Sequence, residues 1–141
     1  MNPDQAILLR ESWSVVAPTA DELAVRFYAH LFEIDDSAAR LFAGVDMNAQ
    51  RTKLLHALKL VVVSADDMER LLPALAALGK RHADYGIEDR HFDSVGEALI
   101  WALSDVLGDA FSAAVRDAWS QAYSLIASVM RRAHTLSASP R

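Results

Sequence analysis

The chain contains no cysteine, which excludes disulfides, thiolate metal sites and cysteine nucleophiles. Glycine and proline are scarce, five and four among 141 residues, and no linker, repeat or low-complexity segment interrupts the chain before the tail Ser137–Arg141. There is no surplus of basic charge: 14 Lys and Arg stand against 19 Asp and Glu, a formal net charge of -5. That balance leaves no electrostatic footprint for nucleic acid or an anionic membrane. No segment approaches an uncharged spanning helix, and the start of the chain lacks the basic-then-apolar pattern of a signal peptide. Hence a cytoplasmic location is expected. Strand-type alternation and a G-x-S-x-G nucleophile elbow are also missing. What the chain has is apolar surface: 52% of its residues are hydrophobic. At this length a single domain buries about 70% of the surface its unfolded chain exposes, enough to enclose an internal pocket.

The apolar residues recur at helical spacing throughout, so the expected class is all-α. Asn2, Pro3 and Gln5 open a first helix with Ala6, Leu9, Trp13 and Val16 inward, ending near Pro18. Thr19–Glu22 reads as a capping box for a second, with Leu23, Phe27, Leu31, Ala24 and Tyr28 inside. A short irregular stretch is expected from Asp35 to Asp46. A long helix should run from Met47 to Ala65 with Leu54, Leu58, Val61 and Val62 buried. Asp66 and Asp67 read as the cap of the next helix. Two stripes complete the chain: Val95, Leu99, Ala102, Leu103 and Val106, ending at Gly108, then Val115, Trp119, Ala122, Tyr123, Ile126 and Met130.

Helical phase sorts the five histidines. His30 and His56 each lie two residues past an inward position (Tyr28 and Leu54), turned about 200° away. His91 sits beside a helix start and His134 near the tail, and neither reads as inward. His82 differs, because Leu71, Leu75, Leu78 and His82 follow spacings of four, three and four on one face. An imidazole there is either a satisfied core histidine or a ligand aimed into the fold. Without cysteine, a second inward histidine or a paired carboxylate, an all-protein zinc or di-iron site has no ligand set. A lone inward histidine suits a metal that brings four ligands of its own, as haem iron does.

These residues, taken in order, resemble a single-domain bacterial globin related to the globin domain of flavohaemoglobins and to neuroglobin-like globins. Arg26–Phe32 is similar to the family's second helix, with Tyr28 at its distal tyrosine. Leu41–Phe42 is similar to the segment whose phenylalanine packs on the porphyrin. Gln50–Leu54 resembles the distal helix, with Gln50 at the ligand-gating position and Leu54 one turn later. Leu78–His82 followed by Tyr85–Gly86 resembles the proximal segment, and Ser94–Leu99 and Ala118–Tyr123 the last two helices. The resemblance implies seven to eight helices around a haem pocket in residues 1–135, with residues 136–141 as a flexible tail. It implies haem b held by His82, a distal pocket of Tyr28, Gln50 and Leu54, and porphyrin contacts from Phe42, Lys53, Leu78, Ile87, Phe92, Val95 and Tyr123.

The function implied is reversible binding of oxygen and other diatomic gases, nitric oxide and carbon monoxide among them, at a five-coordinate iron. Two neutral donors facing a partly charged gas imply tight binding and slow release. The alternative is a nitric oxide dioxygenase, which would need an external reductase because the chain carries no flavin or nicotinamide domain. Whether it is an enzyme stays open. A haem-based gas sensor and a haem-free regulator rank below both. Two departures restrain the enzymatic reading: where flavohaemoglobins place a tyrosine and a glutamate near the proximal histidine, this chain has Phe92 and His134.

Overall fold

The computed structural model describes residues 2–84 and 87–138, and the side chains of all of these except 82–84 and 134–138. Tyr85, Gly86 and the end of the tail therefore lie outside the described residues, as do the side chains of His82 and His134. Seven α-helices and three short 3-10 turns make up the described residues, and no strand occurs among them.

Asn2 starts α1 (Pro3–Val16) through a reciprocal capping box: its side chain accepts the Gln5 N–H at 2.8 Å, and the Gln5 side chain accepts the Asn2 N–H. Within α1 the buried residues are Ala6, Leu9, Ser12 and Val16. Trp13 is only half-buried, tilted against Trp119, and Ser12 occupies the interior instead. Its hydroxyl accepts the Trp119 indole N–H at 2.8 Å, which satisfies a donor that would otherwise be buried unpaired.

The capping box expected at Thr19–Glu22 does not form. A 3-10 turn, Ala17–Thr19, carries α1 into α2 (Ala20–Ile34) almost without a break. Thr19 Oγ1 donates back to the Val16 carbonyl, and Glu22 pairs with Arg26 instead. The inner face of α2 is as expected, with Leu23, Ala24, Phe27, Tyr28 and Leu31 buried.

The stretch from Asp35 is irregular only in its second half, residues 42–46. Asp35 caps a six-residue helix, α3 (Asp36–Leu41), by accepting the backbone N–H groups of Ser37 and Ala38. Asp46 caps α4 (Met47–Val63) in the same way. The run Leu60–Val63 is helical, with Val61 and Val62 buried and Leu60 and Val63 half-exposed.

Asp66 and Asp67 do not cap the following helix. They pair with Arg10 and Arg70, and a 3-10 turn, Met68–Leu71, leads into α5 (Leu72–Asp84). Then come α6 (Asp89–Leu107), stopping before Gly108 as expected, and α7 (Ala113–Ala138), which runs two residues into the segment read as a tail.

Helix α6 packs against both α2 and α7. It runs antiparallel to α2, with Arg26 paired to Asp105 and His30 stacked flat on Trp101 at 4.0 Å. It also runs antiparallel to α7, where Arg131 pairs with Asp93 and its guanidinium lies 5.4 Å from the Phe92 ring centre. Helix α5, which carries His82 in its last turn, packs against α7. Gly79 allows the close approach, since a Cβ there would stand 2.6 Å from the Met130 carbonyl oxygen and 2.9 Å from its Cα. Backbone cannot yield as a side-chain end can. We expect Gly79→Ala to push α5 off α7 and to cost about 1–3 kcal/mol despite alanine's better helix propensity. Urea unfolding checks this, and a variant at least as stable as the parent would refute the close-contact argument.

Candidate functional site

Two polar side chains meet on the inner side of α2 and α4. Tyr28 is 6% exposed, and the Gln50 Nε2 group donates to its hydroxyl oxygen at 3.2 Å. The direction of that bond matters. The phenol oxygen is used as an acceptor, and its own proton has no acceptor among the described residues. A buried hydroxyl normally donates to something. Burial pushes the Tyr28 pKa above its ordinary value, outweighing the opposing effects of the Gln50 bond and the Arg51 charge. The group is therefore a neutral donor across the physiological range.

Aromatic rings fix that hydroxyl in place. The Tyr28 ring meets Phe27 edge-on at 4.8 Å between centres, Phe42 at 5.5 Å and Phe32 at 5.9 Å. Phe32 and Phe42 are themselves 5.6 Å apart. Phe32, one turn past Tyr28, completes the cluster and was not among the expected site residues. Its signal was the spacing of four that puts residues 28 and 32 on one helical face.

The other expected positions fall as follows. Leu54, Leu78, Ile87 and Val95 are half-buried and packed against the core, and Phe92 is buried. Lys53 is exposed. Tyr123 is half-buried in the seam between α6 and α7, donating to the Phe92 carbonyl at 2.5 Å. Its ring lies where a Cβ on Gly96 would stand, 2.6 Å away, and burial pushes its pKa well above the ordinary value. His30 and His56 stay out of the core, as their phase implied.

His91 does not follow expectation. It is 4% exposed and fully engaged: its Nδ1 accepts the Glu88 N–H at 2.8 Å and its Nε2 lies 2.8 Å from Ser37 Oγ. The sequence held the signal. His91, Val95, Ala98 and Ala102 follow the same four-three-four spacing that singled out His82, and Ala98 and Ala102 are completely buried.

Ser37 in turn donates to Asp35, as does Ser94 from α6 at 2.7 Å. These bonds, with Ser37 contributing most, hold the Asp35 carboxyl at about 2 against its ordinary 3.8. A carboxylate depressed on folding adds stability above its unfolded pKa and loses it as pH falls through the folded one. We therefore expect Asp35 to contribute fully above about pH 4 and to lose its contribution between pH 4 and pH 2. Asp35→Asn, which can still cap α3, should flatten that limb of a urea-midpoint profile; an unchanged acid limb would refute the assignment.

No helix among the described residues is long and apolar enough to cross a membrane. A family model described as Globin matches residues 25–130. The chain is 30% identical to an anaerobic nitrite reductase of Gossypium hirsutum, over 91% of this chain and 87% of the relative. It is 28% identical to a second anaerobic nitrite reductase, from Casuarina glauca, over 91% and 89%. It is also 28% identical to the flavohemoprotein of Bacillus subtilis (strain 168), matching 85% of this chain but only 31% of that longer protein. Among solved structures, a hexacoordinated heme protein from an anhydrobiotic tardigrade superimposes with a TM-score of 0.85 at 16% identity, over 95% of each chain. At that identity the likeness speaks for the fold alone.

Proposed function

Because the chain belongs to the globin family and is thus a haem protein, we propose that it binds oxygen and other diatomic gases reversibly on haem b, releasing oxygen slowly. The observation that carries this reading is the Tyr28 hydroxyl: buried, ringed by Phe27, Phe32 and Phe42, accepting from Gln50 and with no acceptor for its own proton among the described residues.

The residues fit the group. Among the described residues, no three His, Cys, Asp or Glu side chains stand together to hold a metal ion. A metal that brings four ligands of its own, as haem iron does, would need one imidazole from the chain. His82, in the last turn of α5, supplies it in this reading. When bound, the haem would supply the iron on which a diatomic gas binds.

Everything else is done by the chain. Tyr28 donates to a partly negative gas, and Gln50, already donating to the phenol oxygen, polarises the O–H bond and keeps it aimed. Phe42 and Phe32 exclude water from the donor pair. The experiment is gas titration of the reduced, haem-loaded protein followed by visible absorption. Reversible oxygen and carbon monoxide spectra are expected; a protein that binds neither would refute the reading.

The second reading is a nitric oxide dioxygenase fed by an external reductase, in a cytoplasmic setting. It draws on the match to the globin part of a flavohemoprotein. Sustained nitrate formation with a cellular reductant supports it, and a single turnover that stops counts against it. The plant relatives add nitrite to the ligands to be tried. Domain limits of 1–135, with a tail beyond, are part of the same reading.

A further inference from the structure

Asp35, Ser37, His91 and Ser94 form one hydrogen-bonded chain that joins segments 54 residues apart at its centre. Its directions are set by chemistry. His91 Nδ1 accepts the Glu88 N–H, so it is the unprotonated nitrogen, and Nε2 carries the ring proton. Nε2 therefore donates to Ser37 Oγ at 2.8 Å, and the Ser37 hydroxyl gives its own proton to Asp35 Oδ1 at 2.5 Å. Ser94 closes the far end on Asp35 Oδ2.

The position of this chain is more informative than its composition. Asp35 and Ser37 begin α3, which hands on directly to Phe42. Glu88 and His91 begin α6, between Ile87 and Phe92, after the segment that follows His82. One hydrogen-bonded chain thus ties the corner bearing a ring of the Tyr28 cluster to the first turn of α6. A capping bond alone would need only His91 Nδ1; the Nε2–Ser37 bond adds nothing to α6 and instead fixes it to α3.

We propose that His91, acting through Ser37 and Asp35, is a positioning latch that holds the α3 corner against the start of α6 and so sets how firmly the pocket retains its haem. The inference rests on the haem reading above.

Three substitutions separate the latch from the cap. Ser37→Ala removes the bridge and leaves Asp35 to cap α3. His91→Asn keeps an acceptor near Nδ1 for the Glu88 N–H but is too short to reach Ser37. His91→Gln presents a donor near Nε2 and restores the reach. In the haem-loaded full chain, we expect Ser37→Ala and His91→Asn each to speed hemin transfer to an excess of a haem-free acceptor protein by about tenfold, the equivalent of one hydrogen bond. His91→Gln should stay within about twofold of the parent. Amide hydrogen exchange of the full chain without hemin gives the second readout: Ser37→Ala should speed exchange in residues 35–43 and in residues 87–94 together. Unchanged hemin loss in both weakened variants would overturn the latch, and so would faster exchange confined to 35–43. A parent chain that retains no hemin at all would overturn the haem reading itself, which is a separate and visible failure.

Discussion

Replacing His82 with alanine is expected to abolish stable haem retention, lowering hemin affinity by more than about a hundredfold, beyond the cost of losing a mere supporting group around a metal. The argument is one of supply. In the haem reading the chain would have to supply one ligand to the iron. No cysteine exists to replace it. His91 is committed through both ring nitrogens to Glu88 and Ser37. His30 is stacked on Trp101, and His56 faces solvent. None of these three can move into the role without breaking what it already holds or crossing the core. Hemin titration followed by gel filtration reads the outcome, with His56→Ala as the control that should bind normally. Added imidazole should partly restore the spectrum of His82→Ala. Unaltered retention in His82→Ala would remove the histidine from the account.

The second large effect is expected at Tyr28. Tyr28→Phe keeps the ring and its contacts with Phe27, Phe32 and Phe42, so the pocket wall stays intact while one donor disappears. A hydrogen bond to a partly charged acceptor is worth about 1.5–3 kcal/mol, and each 1.4 kcal/mol is a factor of ten. Oxygen release should therefore quicken by about tenfold or more, measured by stopped-flow displacement with carbon monoxide. Gln50→Leu should also speed release. Because the two side chains share a hydrogen bond, the double variant should fall short of the summed effects. Burial holds Tyr28 protonated above its ordinary value of 10.0, so its share of the release rate should be constant up to that pH. A release rate indifferent to Tyr28→Phe would take the phenol out of the mechanism.

The long helices were legible because each buries a continuous stripe, and a stripe repeated over three or more turns outweighs local exceptions. The helical reading of Leu60–Val63 succeeded for that reason: Leu54 and Leu58 had already set the phase that Val61 and Val62 continue. Short elements had no such support. Helix α3 is six residues long, less than two turns, and only the Asp35 cap marks it. Capping patterns misled where a turn supplied the continuity instead. At Thr19 the chain is already turning in a 3-10 bend, so the hydroxyl bonds backward to Val16 and the box never closes.

Of the candidate site, Tyr28, Gln50 and Phe42 were singled out in the sequence, whereas Phe32, which completes the ring cluster, was not. The bond between Tyr28 and Gln50 was not legible either, since 22 residues separate them and only packing brings them together. His91 shows the opposite failure. The stripe through residues 95, 98 and 102 was written in the sequence, but a histidine beside a helix start was not read as inward. Its partner Ser37 lay in the stretch mistaken for loop, so nothing in the linear pattern announced a bond between them.

The central claim is that one imidazole and one neutral donor pair frame a haem inside this helical shell. Stepwise addition of hemin to the purified chain, followed by visible absorption before and after reduction and exposure to oxygen, tests it most directly. The account predicts saturation at one hemin per chain, with a spectrum distinct from free hemin that changes reversibly with oxygen. A spectrum that remains that of free hemin at every ratio would contradict it.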